Sequence, residues 1–159
     1  MIEFAFEELR QLGLSQALAP ALASFEAPPG GPHRWARVTA VHRETLDLHD
    51  GRQPGSARCA ARLARELRDE DGALAVGDWV LCHEDEHGQT WVTARLPPLT
   101  CIVRRDADGR RHTVASNVDT ALLVMGLDLD FNLPRLERYL ALVGSGGVLP
   151  VVVLSKADI

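Results

Sequence analysis

The chain has 159 residues, 46% of them hydrophobic and 25% charged, which is an ordinary composition for one or two small globular domains. No apolar stretch approaches the roughly 20 residues that span a bilayer, and the first residues lack the basic start of a signal peptide. A net charge of −5 gives no overall attraction to nucleic acid, and three widely spaced cysteines predict reduced thiols in a cytoplasmic protein.

The beginning of the chain, residues 1–33, is predicted to be a helical extension followed by a linker. Apolar residues from Phe4 onward recur at helical spacing, and a second short helix follows a candidate cap at Ser15. The proline- and glycine-rich run at 27–32 cannot continue a helix. We therefore expect the extension to be loosely attached to the rest of the protein.

Residues 34–98 show the alternation of apolar and polar residues that is typical of short β-strands. Strands are predicted at 35–42, 45–49, 76–82 and 89–96. A further segment, 56–67, is compatible with a strand or a helix, because it is rich in alanine and arginine. Short strands in this number, separated by small turns, favour a closed β-barrel. We predict an OB-fold, with an SH3-like barrel as the alternative.

Residues 99–116 are predicted to be a connector between two domains. A pair of prolines ends the barrel segment, and two pairs of arginines flank a turn-prone stretch at 106–109. Polar and turn-forming residues without apolar periodicity indicate an exposed, mobile segment.

The last part of the chain, residues 117–159, has the pattern strand, helix, strand. A continuous apolar run at 120–125 predicts a buried strand, and an amphipathic helix follows at 133–143 with Asn132 as its N-cap. Another buried strand is predicted at 148–154. This order predicts a right-handed βαβ unit and therefore the start of an α/β domain.

Ser155, Lys156 and Asp158 follow directly after the second of these strands. Polar residues just beyond the carboxyl end of such a strand stand where α/β folds bind ligands. A lysine stem can lie along the face of a flat heterocycle, and a carboxylate can accept hydrogen bonds from two adjacent N–H groups, as on the edge of guanine. These residues are therefore a candidate guanine site. The alternative is an ordinary turn in which Asp158 caps a following helix.

Signatures of other catalytic sites are weak or missing. His83-Glu-Asp-Glu-His87 matches the H-E-x-x-H zinc signature, but that signature needs both histidines on one helical face, and here it occupies a predicted hairpin turn. A metallohydrolase using His83 and His87 is therefore disfavoured. The sequence contains no G-x-x-x-x-G-K-[ST] phosphate loop, and Lys156 is its only lysine. We predict no catalytic residue and no metal ligand in the chain.

Several motifs occur in an order that resembles one known family. A barrel segment with Val76-Gly-Asp-Trp-Val80 is followed by Asn117-Val-Asp119, Asp128-x-Asp-Phe-Asn132, Leu136-Glu-Arg-Tyr-Leu140 and Ser155-Lys-Ala-Asp158. Over residues 34–159 this order resembles the RsgA (YjeQ) family of small-ribosomal-subunit-dependent GTPases. Members of that family have an N-terminal OB-fold, a circularly permuted GTPase domain and a C-terminal zinc domain. The resemblance implies a mixed fold, in which an OB-fold barrel is followed by the start of an α/β P-loop-type GTPase domain.

In a circularly permuted GTPase the guanine motif N-K-x-D precedes the phosphate loop, so the resemblance explains why no such loop lies upstream of Lys156. By position, Lys156 would stack along guanine and Asp158 would bind its N1–H and exocyclic amine. Ser155 stands where the family has Asn or Thr. The resemblance implies GTP or GDP as the ligand, with Mg²⁺ and zinc bound only in a C-terminal part that this sequence lacks. We therefore expect a truncated GTPase domain that is inactive alone.

The resemblance also implies a cytoplasmic protein that binds the small ribosomal subunit and its rRNA, rather than DNA or a membrane, and hydrolyses GTP during late subunit maturation when complete. OB-folds bind oligonucleotides on one sheet face, and arginines supply phosphate contacts. The candidate RNA-binding residues are Arg34, Arg37, Arg43, Arg52, Arg58, Arg62 and Arg65. Trp35 could stack on a base, but its position at a strand start favours the core. The alternative function is a non-catalytic OB-fold RNA-binding or interaction module.

Overall fold

The computed structural model describes residues 2–3, 6–29, 31–70 and 72–158. Phe4, from which the first helix was predicted, lies outside the described residues. The chain divides into two compact units, Met1–Pro98 and Leu99–Ile159, which are described separately below. Within the described part, no helix is long and apolar enough to cross a membrane.

In its described residues, the first unit contains short strands and three short helices. They are β1 (Ile2–Glu3), α1 (Phe6–Gln11), α2 (Ala19–Ala23), β2 (His33–Val41), β3 (Leu46–His49), β4 (Pro54–Cys59), α3 (Ala61–Asp69), β5 (Trp79–Glu84) and β6 (Thr90–Arg95). The ambiguous segment 56–67 is both strand and helix, because β4 ends at Cys59 and α3 begins two residues later.

Strands β2 to β6 close into an OB-type barrel. The strand order is β2-β3-β4-β6-β5, and β5 pairs back onto β2. Strands β4 and β6 run parallel, whereas the other barrel pairs are antiparallel. A five-stranded barrel of this kind, with α3 between its third and fourth strands, is the OB-fold rather than its SH3-like alternative.

The barrel interior is a compact apolar core. Val38, Leu48, Val80 and Val92 fill it, and α3 covers it with Leu63 and Leu67, which lie on one face of that helix. Burial of each such side chain contributes about 1.5–3 kcal/mol. The barrel is therefore an independently packed body.

The N-terminal helices pack on the outside of the barrel in a second core cluster. Leu9, Leu14, Leu18 and Leu22 are buried there against barrel residues that include Trp35, Trp79 and Leu81. The expectation of a loosely attached extension is therefore wrong. Strands β2 and β5 are consequently buried on both faces, with alternate residues facing the interior and the helices.

The predicted cap of the second helix is also wrong. Helix α2 begins at Ala19 after Leu18, and no side chain caps it. Ser15 instead belongs to the preceding turn, where its carbonyl oxygen accepts a hydrogen bond from the Leu18 N–H at 3.1 Å.

The second unit contains a hairpin and a βαβ unit. Its elements are β7 (Cys101–Arg105), β8 (Arg111–Ser116), β9 (Thr120–Gly126), α4 (Leu133–Ser145) and β10 (Leu149–Ser155). Strands β9 and β10 pair in parallel along their whole length, with Leu149 opposite Thr120 and Ser155 opposite Gly126. Asn132 caps α4 as predicted, since its side chain accepts a hydrogen bond from the Arg135 N–H at 2.8 Å.

The segment 99–116, expected to be a connector, instead forms the antiparallel hairpin β7–β8. The hairpin docks against the end of α4, where the Cys101 N–H donates to the Gly146 carbonyl at 3.1 Å. A Cβ atom at Gly146 would lie 1.8 Å from the Cys101 carbonyl oxygen, so this close approach requires glycine. The hairpin is therefore part of the second unit.

The two-stranded sheet of the second unit is covered unequally. On one face Met125 is buried beneath α4, together with Leu136 and Val143 of that helix. On the other face Leu122, Val124 and Leu149 are 65%, 64% and 62% exposed. The prediction that β9 and β10 are buried strands is therefore wrong for this face, because two parallel strands with one crossover helix cannot cover both sides of their sheet.

Candidate functional site

The candidate guanine residues lie where the carboxyl ends of β9 and β10 meet. Ser155 is opposite Gly126, and its carbonyl oxygen accepts a hydrogen bond from the Leu127 N–H at 2.9 Å. The Ser155 hydroxyl donates to the Met125 carbonyl at 3.4 Å. The Ser155 side chain is therefore directed back to β9.

Lys156 begins the turn that follows β10. Its φ of 55° lies in the left-handed region, which is uncommon for a residue with a side chain. Its ammonium group forms an ion pair with the Asp128 carboxylate. The hydrogen bond between them raises the pKa of Lys156 and lowers the pKa of Asp128, so both groups are charged at neutral pH.

Asp158 is exposed at the same turn. Within the described residues its carboxylate has no hydrogen-bond or ion-pair partner, so both oxygens are open to a ligand. The structure thus brings together an exposed carboxylate and a held lysine at one edge of the sheet. Sequence analysis missed Asp128 as part of this site, although the residue stands in a quoted motif and precedes the helix cap.

Four of the seven candidate RNA-binding arginines are engaged within the barrel unit. Arg37 lies over the Trp79 ring at 5.5 Å and donates to the Leu12 carbonyl. Arg52 pairs with Glu8 at 2.6 Å, Arg34 with Asp50 at 3.6 Å and Arg62 with Glu66 at 2.8 Å. Arg37 and Arg52 thus fasten the N-terminal helices to the barrel.

The other three candidates are exposed. Arg43 lies in the turn between β2 and β3, Arg58 on β4 and Arg65 on α3. In the part of the chain that the structure describes, none of the three has an ion-pair or hydrogen-bond partner. They lie on three different elements, and their guanidinium groups are available to phosphates.

Two tryptophans of the barrel lie in different surroundings, and Trp35 lies in the core as its position at a strand start favoured. Trp35 is 1% exposed and packs edge-on against Phe25, with ring centroids 5.2 Å apart, so it is a core residue and no base-stacking platform. Trp91 is half-buried on β6, where the strand register places it beside Arg58. Its indole N–H donates to Asp85 at 2.8 Å, and this bond lowers the pKa of the Asp85 carboxyl.

The hairpin β7–β8 carries an arginine cluster that sequence analysis did not assign to a site. Arg104, Arg105, Arg110 and Arg111 are exposed near its tip. The tip itself is ordered by Asp106, whose carboxylate accepts from the Asp108 and Arg110 N–H groups at 3.0 and 2.9 Å. The two arginine pairs were the available signal, and pairing of the two strands concentrates their charge.

The H-E-x-x-H segment does not form a helix. His83 lies on β5 with its ring stacked on that of His33 at 5.6 Å, whereas His87 lies in the following turn. Over the described residues, no group of three or more His, Cys, Asp and Glu side chains is placed to hold a metal ion.

The order of an OB-type barrel and then a βαβ unit with Lys-x-Asp at a strand end is a fold that also occurs in solved proteins. Solved structures show this fold likeness: YjeQ from Thermotoga maritima, at TM-score 0.59 and 19% identity, and YloQ, described as a circularly permuted GTPase, at 0.56 and 18%. Each match covers 79% of this chain and 42% of the solved one.

Residues 96–159 match the family model of the RsgA GTPase. The chain is 51% identical over 157 residues to the small ribosomal subunit biogenesis GTPase RsgA of Xanthomonas oryzae pv. oryzae, a match covering 87% of this chain and 42% of that protein. It is 39% identical over 163 residues to the RsgA protein of Opitutus terrae, covering 95% and 43%. The chain belongs to the RsgA family, and it spans about two fifths of the length of these curated relatives.

Proposed function

We propose that this chain forms part of a ribosome-biogenesis GTPase, in which the barrel binds rRNA of the small ribosomal subunit and the end of β10 recognises the guanine of GTP or GDP. The observation that carries the proposal is the placement of Lys156 and Asp158, exposed together at the carboxyl ends of two parallel strands. The names of the relatives support the ribosomal role. Such a protein would work in the cytoplasm, on RNA rather than on DNA or a membrane.

The residues present fit the base of the nucleotide and not its phosphates. Asp158 can accept hydrogen bonds from the N1–H and exocyclic amine of guanine, while the Lys156 stem can lie along the ring. Ser155 stands at the position of the family's asparagine with its hydroxyl directed to the Met125 carbonyl at 3.4 Å, so we propose that it contributes less to base recognition than Lys156 and Asp158. The sequence contains no phosphate-loop motif, so we place the phosphate, Mg²⁺ and zinc sites outside these residues.

Guanine recognition is tested by adding GDP or ADP to the isotope-labelled chain and following its amide NMR signals. We expect GDP to shift the signals of the β10 turn and ADP to leave them unchanged. Asp158→Asn replaces one acceptor oxygen by a donor, so this variant should lose the response to GDP and gain one to xanthosine diphosphate. An equal response to ADP and GDP would refute the assignment.

GTP turnover gives a separate test of the prediction that the chain is inactive alone. Phosphoryl transfer depends on a phosphate cradle and Mg²⁺, and no residue here has been assigned to either. We expect phosphate release by the purified chain to equal that of a buffer control. Turnover above the control would show that the chain holds a complete site.

RNA binding is proposed to use the exposed arginines of the barrel, Arg43, Arg58 and Arg65, and those of the β7–β8 hairpin. Each phosphate that an arginine neutralises steepens the fall of log affinity with log salt by about 0.7 to 0.9. A double variant, Arg43→Ala/Arg58→Ala, should therefore bind small-subunit rRNA more weakly and with a shallower salt dependence, by roughly one in slope for each arginine removed.

Two matched double variants control for the change in net charge. Arg10→Ala/Arg138→Ala removes two exposed arginines outside the proposed surfaces and should keep the wild-type slope. Arg104→Ala/Arg110→Ala removes two from the hairpin and should also make the slope shallower, because the hairpin is proposed to bind phosphates. Equal weakening by all three doubles would mean that net charge, rather than a particular surface, governs binding.

A second candidate function is a non-catalytic OB-fold RNA-binding or interaction module, which the exposed Arg43, Arg58 and Arg65 of the barrel would serve without any nucleotide. This candidate predicts the same salt-dependent RNA binding without any response to GDP. The two functions are therefore separated by the nucleotide titration alone.

A further inference from the structure

The loop that follows β9 is organised around Asp128. One of its carboxylate oxygens, Oδ1, accepts a hydrogen bond from the Asp130 N–H at 3.1 Å, and its carbonyl oxygen accepts from the Phe131 N–H at 3.0 Å. The other carboxylate oxygen, Oδ2, is bonded to the Lys156 ammonium group. Asp128 is therefore fixed to its own loop by one oxygen and holds the lysine of the β10 turn with the other.

The absence of a side chain at Gly126 leaves room for the Lys156 stem. The stem passes close to Gly126, where an added Cβ atom would lie 3.4 Å from the Lys156 Cδ and 2.8 Å from Asp128 Oδ1. Any side chain at Gly126 would displace the carboxylate or crowd the stem. Glycine at position 126 thus leaves space for the lysine stem and the carboxylate beside the strand end.

A held lysine differs chemically from a free one. A free lysine side chain samples many rotamers, and its strongly hydrated ammonium group is attracted to any nearby phosphate. The Asp128 carboxylate balances the ammonium charge, and the ion pair restricts the rotamers of the lysine stem. Because the ammonium group has three N–H donors, it can keep Asp128 and still offer a donor to a ligand.

We propose that Asp128 is the positioning residue for Lys156, which it holds so that the lysine stem presents to the guanine ring rather than to the nucleotide phosphates. This inference rests on the proposed guanine recognition and adds to it a residue from the neighbouring strand's loop. It predicts that guanine recognition depends on both the loop after β9, which supplies Asp128, and the turn after β10, which supplies Lys156 and Asp158.

The chain offers a direct probe, because Lys156 is its only lysine. Labelling with [13Cε]lysine gives a single resonance, whose shift follows the titration of the ammonium group and whose relaxation reports the mobility of the stem. In Asp128→Asn, which keeps the acceptor for the Asp130 N–H, we expect a lower Lys156 pKa and a more mobile Cε at neutral pH. Asp130→Asn is the matched control and should leave both nearer to wild type. Identical pKa and relaxation in Asp128→Asn and wild type would overturn the proposal.

Titration with GDP separates this inference from the function on which it rests. We expect Asp128→Asn to bind GDP roughly two- to five-fold more weakly than wild type, as for removal of a partly exposed ion pair. Equal affinity in both proteins would overturn the positioning role. Should GDP perturb neither protein, the guanine proposal fails for this chain, and the pKa and mobility of Lys156 still decide whether Asp128 positions it.

Discussion

Asp78 is a buried carboxylate at the start of β5. Its Oδ2 accepts a hydrogen bond from the Ala75 N–H at 2.9 Å and lies 3.9 Å from the Arg95 guanidinium. Gly77, with a φ of 92°, donates its N–H to the Val38 carbonyl at 2.9 Å. The Asp78 carbonyl in turn accepts from the Val38 N–H at 2.9 Å. Gly77 and Asp78 therefore anchor the start of β5 to β2.

Replacing Asp78 by alanine should destabilise the barrel by about 1–3 kcal/mol, because the buried Ala75 N–H loses its partner. The free energy of unfolding is measured with urea and tryptophan fluorescence. All three tryptophans lie in the first unit, so the signal reports on the barrel. Asp108→Ala, at an exposed hairpin position, should leave the barrel unchanged. An unchanged midpoint for Asp78→Ala would show that the turn holds without its carboxylate.

At the scale of elements, the pairing of β2 with β5 closes the barrel. Two histidines lie opposite each other on these neighbouring strands. His33 and His83 are register partners, and His33 is 2% exposed. Burial lowers the pKa of His33, and the charge of His83 adds to this effect. The pairing of β2 with β5 therefore buries an imidazole whose pKa is lowered.

The barrel should lose stability as the pH falls through 6.5, the ordinary pKa of histidine. The pKa of His33 in the folded protein lies below the ordinary histidine value of 6.5, so the unfolded chain binds a proton first. Stability then decreases as the pH falls through the unfolded value, until the folded-state pKa is passed. His33→Gln should flatten this part of the profile in urea unfolding, whereas His112→Gln in the other unit should not. A wild-type-like profile in His33→Gln would contradict the assignment.

Docking of α1 and α2 on the barrel is the second feature at this scale. Leu22→Ala should lower the free energy of unfolding by about 2–5 kcal/mol, because it opens a cavity against the tryptophan-rich cluster. The same substitution at the exposed Leu129 serves as control and should leave the tryptophan-monitored transition in place. A small effect at Leu22 would restore the view that the extension is loosely attached.

At the scale of the molecule, the two units differ in how completely they bury their apolar surface. The barrel has a filled interior and a second cluster on its outer side. The sheet of the second unit has α4 on one face, and most of its other face is solvent-exposed. An open apolar face lowers stability and favours association.

Backbone amides of β9 and β10 should therefore exchange with solvent faster than those of β2 and β5. Local stability follows the extent of apolar burial around each strand, and this burial is smaller in the second unit. Hydrogen exchange followed by mass spectrometry or NMR measures the difference. Protection around Val152 equal to that of the barrel, in a chain shown to be monomeric, would contradict this expectation.

Much of the element order followed from sequence periodicity. Alternation predicted β3 and β6, which each turn one face to the barrel interior, and also β2, whose outer face is buried under the N-terminal helices. Unbroken apolar runs predicted β9 and β10 as strands but wrongly as buried ones, since one face of their sheet is exposed. The segment 56–67 could not be assigned to a strand or a helix, because its alanines and arginines continue from the end of β4 into α3 without a change of pattern. The hairpin β7–β8 was missed because its strands are exposed and carry polar residues, so no apolar periodicity marked them.

The sequence by itself determined that a barrel precedes a βαβ unit and that Lys156 and Asp158 stand just beyond a strand end. These features depend on residues that are neighbours along the chain. Only the tertiary structure decided which arginines form ion pairs, that the N-terminal helices pack on the barrel, and that Asp128 holds Lys156. That last interaction joins residues 28 positions apart, and it exists because parallel pairing brings the ends of β9 and β10 side by side.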